Sequence, residues 1–300
     1  MTLKTLYIYQ KERFPVFKHG LLILILSVST LCFVQILQNN FVFPVLKDII
    51  IVFVIMFIFF LQLRIADEFK DFEEDMKYRA YRPVPRGLVT LKELRNIGIG
   101  GFLIQVILIL LFNKNVLIIF CLVYLYMLLM TKEFFVPEWL NKHQAVYVFS
   151  HMIIMILFHL FIIIYQFGAF PEWKYLPYVC LYLIIGFLNG MCTETGRKIR
   201  APEDEEDGVS TYSKLWGIKN SVLIFVFIQI LSFILCMVTA VKTNSLALTG
   251  ILLGLIVTVT VIKSFEFIKK RKNGGIFEII SGVWILAVYL MLGIIPLIKG

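Results

Sequence analysis

Residues 63–94 read LRIADEFKDFEEDMKYRAYRPVPRGLVTLKEL, a polar stretch set between two long apolar runs. Asp67, Asp71 and Asp75 recur every four residues, with Glu68, Glu73 and Glu74 among them. On a helix, positions four apart share a face and drift by about 40° per step, so the three aspartates form an acidic stripe. Such a stripe repels itself unless cations sit on it. A basic, proline-bearing tail follows directly, with Arg79, Arg82, Pro83, Pro85, Arg86 and Gly87.

The rest of the chain gives this stretch its setting. Of the 300 residues, 60% are hydrophobic and 16% charged, where a soluble domain carries about 25% charged residues. That deficit places the chain in the membrane class. No polar stretch is long enough to build its own core, so residues 1–300 read as one transmembrane domain. A membrane-crossing helix needs about 20 apolar residues. Nine such spans fall near 19–37, 45–63, 97–112, 116–131, 144–165, 176–192, 220–240, 246–264 and 276–297. Thr90 and Glu93 stand at capping-box spacing and offer an earlier start for the third. Residues 1–18 are basic and aromatic, an interfacial or cytoplasmic segment rather than a cleaved signal, since the first apolar run ends in LCFVQILQNN.

Loop charge orients the bundle. With the N-terminus cytoplasmic, the segments 1–18, 64–96, 132–143, 193–219 and 263–275 hold 24 of the 29 Lys and Arg residues. This bias is a positive-inside signal. It puts both long polar loops, 64–96 and 193–219, on the cytoplasmic side and the C-terminus on the opposite side. The net charge of +9 is thereby assigned to membrane orientation rather than to nucleic acid. The five cysteines lie singly in or beside apolar runs, without metal-ligand spacing. No obligate protein partner is implied.

The second loop, residues 190–217, reads GMCTETGRKIRAPEDEEDGVSTYSKLWG. Glu194, Arg197, Lys198 and Arg200 precede an acidic run from Glu203 to Asp207. Shifted by 121 positions, the first loop overlays it, with Glu73 on Glu194, Lys77 on Lys198, Gly87 on Gly208 and Thr90 on Thr211. Related halves with a site between them are a recurring membrane-protein plan. Carboxylates without His or Cys suit Mg²⁺ or a similar hard cation. Arg82 and Arg86 suit the phosphate oxygens that would complete its shell, because guanidinium binds phosphate bidentately. A solvated, charge-mixed loop helix, with Lys70 and Lys77 paired to their neighbours, is the plain alternative.

ADEFKDFEED followed by YRPVPRGLVT resembles the first signature of the UbiA superfamily of intramembrane prenyltransferases, NxxxDxxxD and an RP–G segment. RKIRAPEDEEDGVSTYSKLWG resembles the second signature, an acidic cluster before a glycine and a threonine. Asp67 stands where the family has Asn. In the second motif Asp204 takes the latter acidic position and Arg200 the former, with Glu194 or Glu203 as the replacing ligand.

The resemblance implies an all-α bundle of about nine helices around a central cavity. Mg²⁺ would be held by Asp67, Asp71, Asp75, Asp204, Glu194 and Glu203, with the four aspartates as the catalytic set. The diphosphate would lie against Arg82, Arg86, Lys132, Lys198 and Arg200. The reaction implied is transfer of an isoprenyl group to a small aromatic or lipophilic acceptor in the membrane lipid. A terpene cyclase acting on the same diphosphate without an acceptor is the first alternative. A cation transporter is the second, although its site would lie nearer the bilayer midplane. Asp71 and Asp75 are expected to face water and metal rather than core. His143, His151 and His159 spiral along the fifth span at eight-residue spacing, which favours helix–helix hydrogen bonds, with His151 within reach of an acceptor.

Overall fold

The computed structural model describes residues 2–299, and nine of its helices are long and apolar enough to cross a membrane. A short helix α1 (Leu3–Arg13) precedes α2 (Val16–Leu37) and α3 (Leu46–Lys70). Then come the short α4 (Phe72–Tyr78), α5 (Leu91–Phe112), α6 (Leu117–Thr131), the short α7 (Pro137–Lys142) and α8 (Gln144–Phe167). The second half holds α9 (Leu176–Arg197), the single turn α10 (Tyr212–Leu215), α11 (Ile218–Lys242), α12 (Leu246–Lys270) and α13 (Ile276–Tyr289). No strand occurs among the described residues.

Helix boundaries follow local chemistry. α5 starts at Leu91 because Thr90 and Glu93 close a capping box, as the sequence indicates. A π turn, Leu290–Ile294, carries α13 into a last helical turn, α14 (Ile295–Lys299). There Ile295 N–H bonds Leu290, and Pro296 has no N–H to continue the regular ladder. The two motif loops also share devices. Gly87 and Gly208 both have left-handed backbone, at φ +76° and +70°. Thr90 and Thr211 cap the helices that follow them. At Gly208 a side chain would also collide with the Tyr78 ring, so this glycine brings the second loop onto the first.

Packing sorts the spans. α2 lies against α3, α8, α13 and the π turn, and α9 against α8, α11 and α13. α5 and α12 are the least buried and form the flanks. With no aqueous driving force inside lipid, such contacts rest on close packing and interhelical hydrogen bonds. Gly293 meets the Ser29 carbonyl so closely that any side chain would overlap it. Ser29 donates to the Tyr289 carbonyl at 2.5 Å, and His159 Nε2 lies 2.9 Å from the Tyr289 hydroxyl. His159 therefore serves the helix–helix role its position suggests. Phe59, Phe158, Phe161, Trp284 and Tyr182 fill the interior. Gln62 and Gln105 flank the Tyr124 hydroxyl at 2.8 and 2.5 Å and tie α3, α5 and α6 together.

Both motif loops and α1 gather at one end of the bundle. Tyr9 of α1 is buried among Ile65, Val84, Val89 and Leu94, a small core separate from the main one.

Candidate active site

The acidic stripe is not one continuous helix. α3 ends at Asp71, whose backbone (φ −91°, ψ 6°) breaks the ladder before α4 begins. The break turns the third aspartate away from the first two. Asp67 and Asp71 line a cavity of about 530 Å³ between the two loops, whereas Asp75 does not. Asp75 is only 2% exposed. Its Oδ1 accepts from Arg79 Nη1 at 2.7 Å, and Arg82 Nη1 bridges both carboxylate oxygens at 2.8 and 2.7 Å. The expectation that Asp75 faces water is corrected on this point, because arginines pull it inward.

Asp67 is held by Arg64, with Nη1 at 3.5 Å from its Oδ2. Asp71 has no ion pair among the described residues. Burial, together with the neighbouring Asp67 carboxylate, holds its carboxyl above the usual carboxylate range. Two acids on one wall, one of them without an ion pair among the described residues, form a place where positive charge is wanted.

The opposite wall comes from the end of α9 and the loop after it. α9 runs on to Arg197, past the end of its apolar span, so Glu194 sits on a helix. Its carboxylate is claimed by Arg197 at 2.6 Å and Lys198 at 2.9 Å. Lys198 also lies over the Tyr212 ring, 5.1 Å from its centre. Arg200 lines the cavity with its backbone N–H bonded to Ser213 Oγ at 2.9 Å. Asp204, at the end of the short turn Pro202–Asp204, lines the cavity and has no ion pair among the described residues. The loops touch through Tyr81, whose hydroxyl donates to Glu206 Oε2 at 3.3 Å.

Besides Asp75, three residues with sequence-assigned roles lie elsewhere. Arg86 is outside the cavity lining, bonded to Glu12 and to the Tyr81 carbonyl, each at 2.8 Å. Glu203 is exposed on the turn beside Asp204, and Lys132 is exposed just after α6; neither lines the cavity.

The cavity also recruits residues without a sequence signal. Lys70, which the plain alternative pairs with its neighbours, bonds the Tyr147 hydroxyl and reaches Glu133 at 3.2 Å. These partners come from α8 and from a turn of three left-handed residues, Glu133, Phe134 and Phe135. Tyr147 stacks on His151, with ring centres 4.0 Å apart, and accepts its Nδ1–H through the backbone carbonyl at 2.8 Å. His151 Nε2 is left buried without a partner. Arg64, Arg79 and Arg197 complete the basic lining, so seven Lys/Arg side chains face seven Asp/Glu side chains.

The donor set is oxygen-only on the acidic side, which suits a hard divalent ion. No group of three or more Asp, Glu, His or Cys residues among those described is close enough to enclose a metal unaided. One or two carboxylates completed by water and phosphate oxygens is the mode typical of Mg²⁺. Beside the cavity runs a more apolar groove of about 670 Å³, lined by residues such as Val148, Met191, Leu215 and Trp216. It shares α8 and α9 with the cavity.

Comparison with known proteins agrees with this geometry. The UbiA prenyltransferase family matches residues 26–286. A UbiA homologue from Aeropyrum pernix K1 superimposes with a TM-score of 0.63 at 17% identity, covering 88% of this chain and 96% of its own. A digeranylgeranylglyceryl phosphate synthase superimposes with a TM-score of 0.60, also at 17% identity, covering 97% of this chain and 99% of its own. No curated protein sequence matches. With most of its length matched by the family and its fold shared with two of these structures, the chain belongs to the UbiA prenyltransferase family and is a membrane prenyltransferase.

Proposed function

We propose that this chain moves an isoprenyl group from an isoprenyl diphosphate to a small, aromatic or otherwise lipophilic acceptor, at the cavity between its two motif loops. The observation that carries the reading is the opposed lining of that cavity. Asp71, on the first-loop wall, faces Lys198, Arg200 and Asp204 of the second loop in one space of about 530 Å³, and neither Asp71 nor Asp204 has an ion pair among the described residues. Carboxylates alone would hold a cation and basic groups alone an anion; together they suit a metal–diphosphate.

Asp67 and Asp71 on one wall and Asp204 on the other would each offer a carboxylate to Mg²⁺, with water and phosphate oxygens completing its shell, and Glu194 would join only by releasing Arg197 or Lys198. Bound there, the ion would neutralise charge building on the departing diphosphate. Arg82, Lys198 and Arg200 stabilise the same charge from the protein side, as pre-placed donors do most effectively in a site shielded from water. The bond from C1 to the diphosphate oxygen breaks with its electron pair leaving on oxygen. A new bond forms from the acceptor to C1, and the acceptor's displaced proton passes to water. The apolar groove along α8 and α9 suits the isoprenyl tail, and the stacked Tyr147 and Tyr212 present π faces near positive charge. Loop charge supports a cytoplasmic N-terminus and cytoplasmic active-site loops, with the C-terminus on the far side.

The test is turnover by the purified protein in nanodiscs, using farnesyl and geranylgeranyl diphosphate with a panel of phenolic and lipid-alcohol acceptors. Diphosphate release that needs both Mg²⁺ and an acceptor, with a prenylated product, is the expected result. A cyclic hydrocarbon or alcohol formed without any acceptor would replace this reading with cyclisation. Divalent-ion transport without turnover would replace it with a transporter.

A further inference from the structure

Arg13 lies outside residues 26–286, the part of the chain matched by the family, yet it reaches the two most buried acids of the first loop. Its Nε donates to Glu68 Oε1 at 2.6 Å. Its Nη2 stands 3.8 Å from Asp75 Oδ2 and has no hydrogen-bond partner of its own. Glu68 and Asp75 are each only 2% exposed. Both also hold arginines that line the cavity. Glu68 Oε1 takes Arg64 Nη2 at 3.2 Å, and Asp75 takes Arg82 through both of its oxygens.

A carboxylate buried this deeply must have its charge met by a partner. Each of these two has an arginine from α1 on one side and an arginine of the cavity on the other. We propose that Arg13 is a positioning residue for the diphosphate site. By carrying part of the charge of Glu68 and Asp75, it leaves Arg64 and Arg82 with charge and N–H donors to offer an anion in the cavity. Without it, Glu68 is met by Arg64 alone, and Arg64 is drawn inward, away from the cavity. Asp75 would likewise lose the nearby Arg13 and be left to Arg79 and Arg82, which draws Arg82 more firmly inward. The inference rests on reading the cavity as a diphosphate site.

The geometry separates this role from simple docking of the helix. α1 is also fastened by Tyr9 in its small core and by Glu12, 2.8 Å from Arg86. The Glu12–Arg86 pair touches neither Glu68 nor Asp75. Removing Glu12 therefore loosens the helix without disturbing the charge balance.

The experiment measures the affinity of the full-length protein, in nanodiscs, for inorganic pyrophosphate in the presence of Mg²⁺. Arg13→Met is expected to weaken binding by about tenfold or more, the scale of losing one charged partner from a buried network. Arg13→Lys should recover part of the loss, and Glu12→Gln should bind within about twofold of the wild type, the range of a peripheral ion pair. Adding Glu68→Gln to Arg13→Met removes the unmet charge and should restore affinity to within about threefold, the coupling expected of two groups in one network. That double variant and Arg13→Lys carry the comparison if Arg13→Met alone does not fold. An unchanged affinity in Arg13→Met, or a loss that Glu68→Gln does not relieve, overturns the inference while leaving the proposed function standing. A wild-type protein that binds no pyrophosphate with Mg²⁺ overturns both.

Discussion

Replacing Asp71 by asparagine is expected to cut prenyl transfer by about 10²–10³-fold, the cost typical of removing one pre-placed electrostatic group from an active site. The protein should remain folded. Asp71 sits at the break between α3 and α4, lines the cavity and has no ion pair among the described residues, so no buried cation loses its partner. Its carboxyl is already held above the usual range by burial and by Asp67. An amide there relieves repulsion without leaving a hole. Thermal unfolding in detergent should thus occur at or slightly above the wild-type temperature while turnover collapses. Turnover within a few-fold of wild type would remove Asp71 from the catalytic set.

Asp75→Asn should behave in the opposite way towards stability. Asp75 is buried and satisfies Arg79 and Arg82 at 2.7–2.8 Å, with Arg13 close behind. Taking its charge away leaves two or three guanidinium groups short of a partner in a site that water barely reaches. Breaking a buried pair from one side costs about 3–5 kcal/mol. The expected result is a marked fall in unfolding temperature, together with weaker binding of pyrophosphate as Arg82 loses its anchor. Binding of Mg²⁺ should change less than in Asp71→Asn. An Asp75→Asn protein as stable as wild type, with Mg²⁺ binding abolished, would instead place Asp75 among the metal ligands. The two neighbouring aspartates are thus separated by one unfolding curve and one binding curve.

How legible this was in the sequence depends on the range of the interaction. The nine spans follow from runs of apolar residues, and their ends from local devices such as the Thr90–Glu93 box. The likeness of the two loops also has a local basis, since Gly87 and Gly208 share a left-handed backbone and Thr90 and Thr211 share a capping role. By contrast, four-residue spacing implies one helical face only while the helix continues. After the break at Asp71, Asp75 meets Arg13 of α1, Arg79 and Arg82, an arrangement that four-residue periodicity does not report. Lys70 likewise had Glu and Asp neighbours within a turn of helix, yet its partners are Tyr147 and Glu133, more than 60 positions along the chain. The apolar run near 176–192 predicts a span that ends with it. α9 continues a turn and a half further because Glu194 pairs with both Arg197 and Lys198 at helical spacing.

The shared fold at 17% identity fixes the bundle but leaves the substrates to the cavity's own residues. Those residues bring seven acidic and seven basic side chains together, the mixture that the proposed metal–diphosphate requires. The most direct measurement is a structure of the protein with Mg²⁺ and a non-hydrolysable geranylgeranyl diphosphate analogue. The expected result is a metal touching Asp71, the two phosphates between it and Lys198 and Arg200, and the tail leaving along the groove of Val148 and Met191. An analogue bound away from the two loops, or phosphates in the cavity with Asp71 and Asp204 both turned from the metal, would contradict the account.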